Sequence, residues 1–138
     1  MPATPPDSRR SPFQYAIVRV MPSIERGEAV NAGIILFCRP RRFLHARIGL
    51  QDALVAALVP GWDPSTVRAH LDAIVHICAG EESAGPIARL SQSERFHWLV
   101  SPSSTMVQPS PVHTGLTADP ATTLAHLFAT LVERPAPS

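Results

Sequence analysis

The sequence predicts an α+β fold in which a small antiparallel sheet, of roughly three to five strands, carries helices packed on one face. β-branched and aromatic residues are concentrated in the first third of the chain, where they favour strands. Amphipathic helical repeats follow, and two of them open with Asp-Pro. A run of strands followed by helices is typical of this class, and 138 residues with 45% apolar content suit one domain with one core.

Three strands are predicted before the first helix. Phe13–Val20 alternates in hydrophobicity, which places Arg19 on the same face as the odd-numbered aromatic residues. Ile34–Cys38 is continuously apolar, as expected of a central strand that is buried on both faces. The basic turn Arg39–Arg42 then leads into Phe43–Gly49, and so short a connection favours a hairpin.

Helices dominate the rest of the prediction. Gln51–Val59 is a short apolar helix that ends at a Pro-Gly pair. The two chief helices, Asp63–Ala79 and Asp119–Glu133, each begin with an aspartate N-cap and a proline, and each carries an apolar stripe. Arg95–Val100 is predicted as a helix after a capping box, and Ile87–Leu90 as a short strand.

Residues 1–12 and 135–138 are expected to be a disordered tail and a frayed C-terminus, which leaves residues 13–134 as a single domain. Ser101–Leu116 is rich in proline and hydroxyl groups and has no apolar stripe of its own. We expect it to lie against the sheet, with Thr105–Gln108 as an extended segment, because its prolines exclude it from the middle of a sheet and favour either an edge or a long ordered loop.

Composition excludes several classes of mechanism. All twelve basic residues are arginine, so Schiff-base chemistry and the lysine of phosphate-binding loops are excluded. Glycine-rich nucleotide motifs and short-spaced metal-ligand pairs are missing, so no cofactor and no metal site are predicted. Cys38 and Cys78 lie in apolar runs, and we expect them to be buried, unpaired and reduced, as in a cytoplasmic protein. No signal segment or bilayer-length apolar stretch is present, so no membrane association is expected.

The first group of candidate site residues lies between the first two predicted strands. Its members are Glu25, Arg26, Glu28 and Asn31, toward which the first strand delivers Arg19. Two carboxylates beside an arginine suit acid/base chemistry or a metal, but the same residues also make a salt-bridged turn. For Glu28 the candidate partners are Arg19 and Arg47, and Gly27 and Gly33 are expected to supply backbone angles that other residues do not tolerate.

The second group lies in the proline-rich segment and consists of Thr105, Gln108, His113 and Thr114. A hydroxyl near a histidine permits a nucleophile, yet no acidic residue is placed to orient His113 and the G-x-S-x-G motif is missing. Hydroxyl groups bonded to their own backbone are the alternative interpretation. If the segment packs on the sheet, both groups form one polar surface, which suits an anionic or polar ligand group or a peptide backbone.

The turn Arg39–Arg42, which Arg47 could extend, is the one basic stretch that suggests phosphate contacts. It has no interleaved aromatic residues and no groove-reading helix, and the net charge of the chain is only +1. We therefore interpret it as a solvated hairpin tip, and nucleic acid is not an expected partner.

Two blocks of the sequence resemble the bacterial DUF3037 family. Tyr15–Phe37 contains a strand that ends in R-x-x-P and then E-R-G-E-x-x-N-x-G before an apolar strand, and Arg95–Leu116 resembles the family's second block. The family has no known function, so the resemblance implies no reaction and no catalytic residues. Its members are often encoded beside HipA-like kinases, and this association suggests such a kinase as a partner.

Two functional hypotheses of different classes follow. The first is a non-catalytic accessory domain that binds a protein partner, which the missing lysine, the missing cofactor loops and a charged content of only 17% favour. The second is a small hydrolase or nuclease-like enzyme with a site between the Glu25–Asn31 loop and the His113 loop. The distance between these two loops distinguishes the hypotheses.

Overall fold

The computed structural model describes residues 9–102 and 106–133. The strands are β1 (Ser11–Ser23), β2 (Glu28–Cys38), β3 (Phe43–Ile48), β4 (Val107–Pro109) and β5 (His113–Thr117). The helices are α1 (Asp52–Leu58), α2 (Ser65–Ala79), α3 (Gln92–Leu99) and α4 (Pro120–Leu131). The predicted C-terminal fraying at residues 135–138 and most of the predicted N-terminal tail lie outside the described residues, whereas Ser11 and Pro12 already belong to β1.

The five strands form one antiparallel sheet in the order β3-β2-β1-β4, and β5 also pairs with β1. β4 and β5 lie end to end along the same edge of β1. Ser110 joins them, because its N–H donates to the Ile17 carbonyl and its hydroxyl accepts from the Ile17 N–H, both at 2.8 Å. The described part of the proline-rich segment therefore lies against the sheet, at its edge. A proline is tolerated there because an edge strand does not need every backbone N–H for hydrogen bonds within the sheet.

The α+β class and the antiparallel sheet are confirmed, but the helices lie on both faces of the sheet and not on one. α2 and α3 bury the face that carries Val18, Ile35 and Phe37. α4 buries the opposite face, which carries Ile34 and Leu36. The physical reason is β2 itself, since a strand that is apolar at every position has two faces to remove from water. No helix in the described ranges is long and apolar enough to cross a membrane.

The first hairpin is longer than predicted. The ladder between β1 and β2 continues to the pair Ser23 and Glu28, so most of the expected loop between Met21 and Gly33 is strand. Val20 and Val30 face each other in this extension and are buried. The burial of these two valines stabilises the extension of the ladder, and the polar residues around them are compatible with the partly exposed end of a sheet.

A second difference concerns Ile87–Leu90, which was predicted as a strand. The chain forms a 3-10 turn over Pro86–Arg89 instead. Gly85 precedes it with φ of 100°, a conformation that glycine adopts without strain, and proline suits the first position of a helical turn. The backbone preferences of Gly85 and Pro86 therefore override the short apolar run.

Both cysteines are free and buried, as the sequence predicts. Cys38 lies in the core beneath α4, and Cys78 lies on the buried face of α2. In native buffer we expect both thiols to react slowly with a thiol reagent and to react rapidly after unfolding, because the reagent needs an accessible thiolate. Mass spectrometry of the labelled protein measures this, and rapid native labelling of either residue would contradict the assignment.

Cys78 also predicts a dependence of stability on pH. Burial raises the pKa of this thiol from 9.0 to about 12, while the charge of Arg95 acts in the opposite direction. The unfolded thiol ionises first, so the stabilisation is complete below about pH 9 and is lost as the pH rises toward 12. Between about pH 8 and about pH 10 the free energy of unfolding should fall by about 1.4 kcal/mol from this group. Denaturant titrations should show a shallower decline for Cys78→Ala, and an equal decline would disprove the effect.

Candidate functional site

The turn of the first hairpin places three of the candidate residues in solvent. Glu25 and Arg26 are exposed, and Gly27 adopts φ of 71°, as a tight turn requires. Arg26 Nε lies 2.6 Å from Glu28 Oε1, and the two side chains are 69% and 40% exposed. The prediction that Arg19 or Arg47 pairs with Glu28 is wrong. Arg19 donates to the Pro109 carbonyl, and Arg47 packs on the ring of Phe128. The turn is thus a solvated, salt-bridged tip.

This ion pair sets the expected effect of Glu28→Ala. Exposed pairs contribute little, because water and salt screen them, so the free energy of unfolding should fall by less than about 1 kcal/mol. Thermal denaturation in low salt measures the change. Glu25→Ala is the matched control, since Glu25 makes no ion pair within the described part of the chain. A loss of several kcal/mol for Glu28→Ala alone would assign the carboxylate an architectural role.

Three other candidates are brought together on neighbouring strands. Arg19 on β1 is opposite Asn31 on β2 and opposite Gln108 on β4. Opposed residues of an antiparallel pair project from the same face, so the three form one polar group, called here the Arg19 cluster. The register shifts between Val18 and Arg19, which leaves Ala32 as an extra residue in β2. Such a bulge changes the direction in which the neighbouring side chains point.

The Arg19 cluster lies near the C-terminal end of α4. Asn31 Nδ2 donates a hydrogen bond of 2.9 Å to the Leu131 carbonyl, one of the four that a helix leaves unsatisfied at its end. Arg19 Nη2 donates to the Pro109 carbonyl at 3.1 Å. Arg19 Nε is buried and has no hydrogen-bond partner among the described residues. Gln108 is partly buried between these groups and has its own polar contact.

His113 and Thr114 lie elsewhere along the sheet. They open β5, opposite Tyr15 and Gln14, and both side chains are exposed. The His113 ring packs on the Tyr15 ring with centroids 5.1 Å apart. Tyr15 precedes Ser23, the partner of Glu28, by eight residues of β1, or about 26 Å of strand. The structure therefore does not join His113 to Glu28. Thr105 lies outside the described residues.

Sequence reasoning missed an apolar cleft on the opposite face. A cavity of about 410 Å³ lies between α2, α3 and β4, with Trp98 at its rim, half exposed at 51%. Its walls are mainly apolar, and His70 is the one titratable residue that lines it. An apolar cleft of this kind binds apolar groups but does not supply an acid and a base. Within the described ranges no group of three or more His, Cys, Asp or Glu residues could hold a metal ion.

A buried arginine was missed as well. Arg95 is only 8% exposed, and its Nη1 donates to the carbonyls of Ile77 and Cys78 at 2.9 and 3.0 Å. Those carbonyls belong to the last turn of α2, so the guanidinium serves as a C-terminal cap. The Ser91 capping box, which is confirmed by the bond from the Glu94 N–H to the Ser91 hydroxyl, gave the position of α3 but not the direction of this side chain.

Comparison with known proteins gives one match. A family model described as "Protein of unknown function (DUF3037)" matches residues 15–132, which covers the sheet apart from the first four residues of β1, the Arg19 cluster and all of α4. No curated protein and no solved structure matches the chain. Since the matched range covers far more than half of the 138 residues, the chain belongs to the DUF3037 family.

Proposed function

We propose that this protein is an accessory domain that binds a protein partner, and that the Arg19 cluster receives a carboxylate or another anionic group of that partner. One observation carries the proposal. The guanidinium of Arg19 is partly buried, its Nε has no hydrogen-bond partner, and it makes no ion pair within the described ranges. The ion pairs of these ranges are exposed surface pairs. Arg95 also has a buried Nε without a partner, but its guanidinium already caps the end of α2 through two hydrogen bonds.

The energetics favour a ligand at this position. A buried donor without an acceptor costs about 1–3 kcal/mol, and a ligand that supplies the acceptor recovers this loss. Arginine presents five N–H groups in a planar fork, of which Arg19 uses one on Pro109. A carboxylate can accept two of the others at once, which fixes both its position and its orientation.

The neighbours of Arg19 suit the same ligand. Asn31 and Gln108 flank the guanidinium from the adjacent strands and carry no charge, so they do not compete for it. Asn31 is fixed by its bond to Leu131, which makes one wall of the site rigid. A preformed cluster on three paired strands loses little conformational entropy on binding.

The alternative, a small hydrolase or nuclease-like enzyme, has less support. Its premise was a site that joins His113 to the loop of Glu25 and Glu28, and the sheet separates these residues by about 26 Å. A HipA-like kinase is the partner that the family resemblance suggests. Two free buried thiols agree with a place in the reducing cytoplasm.

The anion site is tested by NMR on purified protein that is labelled with nitrogen-15. Titration with sodium acetate should shift the Nε–H resonance of Arg19 more than that of Arg68, which already pairs with Asp52 on the surface. Sodium chloride at the same ionic strength is the control for general screening. Equal small shifts of both resonances would refute a built site.

The partner is tested by affinity capture from the native host with four baits. Wild-type protein and Arg68→Gln should retain a protein that Arg19→Gln loses, because the first two keep the guanidinium of the cluster. Arg19→Lys restores charge without the planar fork, so it should recover only part of the binding. Identical captures with wild type and a folded Arg19→Gln would overturn the proposal.

A further inference from the structure

A second surface lies at the end of the sheet where β1 begins and β2 ends. Arg9 and Arg10 precede β1, and the turn from β2 to β3 adds three more arginines, Arg39, Arg41 and Arg42. The two segments meet because Arg41 Nε donates to the Ser11 hydroxyl at 3.1 Å and Arg41 Nη2 donates to the Arg9 carbonyl. We call these five residues the arginine end.

The charge of the arginine end is largely uncompensated. Arg9, Arg10, Arg39 and Arg42 are exposed, and none of them makes an ion pair in the described ranges. Two carboxylates accompany them, Asp119 and Glu94, at the first turns of the neighbouring helices. Asp119 interacts with Arg41 and caps α4, and Glu94 accepts a hydrogen bond from the Ser91 hydroxyl, so these two negative charges lie beside five positive ones. Five of the twelve basic residues therefore concentrate at one end of a chain whose net charge is only +1.

The turn places Arg42 in a left-handed backbone conformation that glycine adopts more easily. Arg42 has φ of 51°, and it is the one non-glycine residue of the described ranges with a positive φ. Its N–H donates to the Arg39 carbonyl at 3.1 Å, and its own carbonyl accepts from Gln92 Nε2 at 3.0 Å. A residue held in the left-handed region stores strain, which marks a position for functional hypotheses.

We propose that the arginine end binds the phosphate backbone of nucleic acid without reading its sequence. The guanidinium fork matches a phosphate bidentately, and the strands that carry the two segments are spaced about 5 Å apart, so the fixed charges can reach successive phosphates. The isolated turn did not favour nucleic acid at the level of sequence. The fold changes this by adding Arg9 and Arg10 to it, while Arg47 is withdrawn from it to lie 4.9 Å from the Phe128 ring.

The physical character of the surface favours nucleic acid over an acidic protein. Leu116, 62% exposed on β5 opposite Pro12, is an apolar side chain beside the arginine end. Interfaces between proteins rely on clusters of apolar and aromatic anchors, so a surface dominated by charge binds a protein partner weakly. A regular polyanion needs no anchors, because the release of its counterions supplies the free energy. The five arginines lie before β1 and in the turn from β2 to β3 and not on an α-helix, so we expect the contacts to be to the backbone alone.

The test is fluorescence anisotropy with two labelled DNA oligonucleotides of unrelated sequence, each as single strand and as duplex. Wild-type protein should bind both sequences equally and lose affinity steeply between about 50 and 200 mM salt. The double variant Arg10→Gln, Arg39→Gln should bind at least about tenfold more weakly at about 100 mM salt, with a smaller salt slope. Arg68→Gln removes one charge from an exposed site on α2 and should bind as the wild type does.

Arg42→Gly separates function from folding. Glycine relieves the left-handed backbone, so the melting temperature should not fall, whereas DNA affinity should decrease several-fold. The proposal is overturned if wild type shows no binding at about 50 mM salt, or if the double variant binds as wild type does. It is also overturned if labelled poly-glutamate of equal charge binds more tightly than DNA, because an acidic protein would then be the ligand.

Discussion

Gly33→Ala is expected to lower the free energy of unfolding by about 3 kcal/mol, which is large for the addition of one methyl group. Gly33 is buried in β2. A Cβ at this position would lie 2.4 Å from Ile48 Cδ1 and 2.8 Å from the Arg47 carbonyl oxygen. The side chain of Ile48 can rotate, but the carbonyl belongs to the backbone of β3. Its movement would disturb the ladder between β2 and β3, in which Gly33 pairs with Ile48.

Gly27→Ala is the matched control for this prediction. Gly27 lies in the turn of the same hairpin with φ of 71°, and a Cβ there would meet no atom within 4 Å. Its cost is therefore only conformational, about 1–2 kcal/mol. In thermal denaturation Gly33→Ala should melt roughly 10 °C below wild type, and Gly27→Ala a few degrees below. If Gly33→Ala melted at or above Gly27→Ala, β3 would have to yield easily to the new methyl group.

The two glycines show what a sequence does and does not reveal. Both were expected to supply unusual backbone angles, and this is confirmed for Gly27 but wrong for Gly33. Gly33 is required because another strand approaches it closely, and that approach depends on a pairing partner distant in sequence. Local turn chemistry is encoded in a few adjacent residues, whereas close packing between strands is not.

The same distinction explains the accuracy of the predicted elements. The faces of β1, the hairpin of β2 and β3, and α4 with its Asp119 N-cap follow from periodicity and capping, and all are confirmed. α2 forms as predicted, but its predicted N-cap is wrong: the helix begins at Ser65 with Pro64 as N-cap, and Asp63, one residue before that cap, accepts from the Ser65 N–H. β4 and β5 were not separable by pattern, because their pairing with β1 is interrupted at Ser110. The extension of β2 to Glu28 was hidden by polar residues at a partly exposed sheet end.

The candidate site was predicted only in part for a related reason. Arg19, Asn31 and Gln108 were all named from the sequence, but their meeting depends on the register of three strands and on the bulge at Ala32. A shift of one residue would send each side chain to the opposite face. The separation of His113 from Glu28 follows from the same register, which no local pattern encodes.

Arg95→Ala is expected to destabilise the protein by about 2–4 kcal/mol, because the guanidinium is the polar partner of the α2 terminus. The Cys78 carbonyl would lose its bond to Nη1, and the Ile77 carbonyl would keep only the Gly80 N–H. The positive charge of Arg95 also lies beside the negative end of the α2 dipole and interacts favourably with it. Because the side chain is buried, dissolved salt screens this interaction only weakly. Urea denaturation measures the loss, and the exposed neighbour Arg89→Ala should change stability by less than about 0.5 kcal/mol.

Arg95→Met decides whether hydrogen bonding or packing is responsible. Methionine keeps an unbranched apolar stem, so it should recover the packing part of the loss and none of the capping part. We therefore expect Arg95→Met to lie between wild type and Arg95→Ala. A buried cation with an unbonded Nε also carries a desolvation cost, and hydrophobic replacement of such groups is sometimes stabilising. If Arg95→Met proved as stable as wild type, that cost would equal the gain from the two bonds, and Arg95 would not stabilise the end of α2.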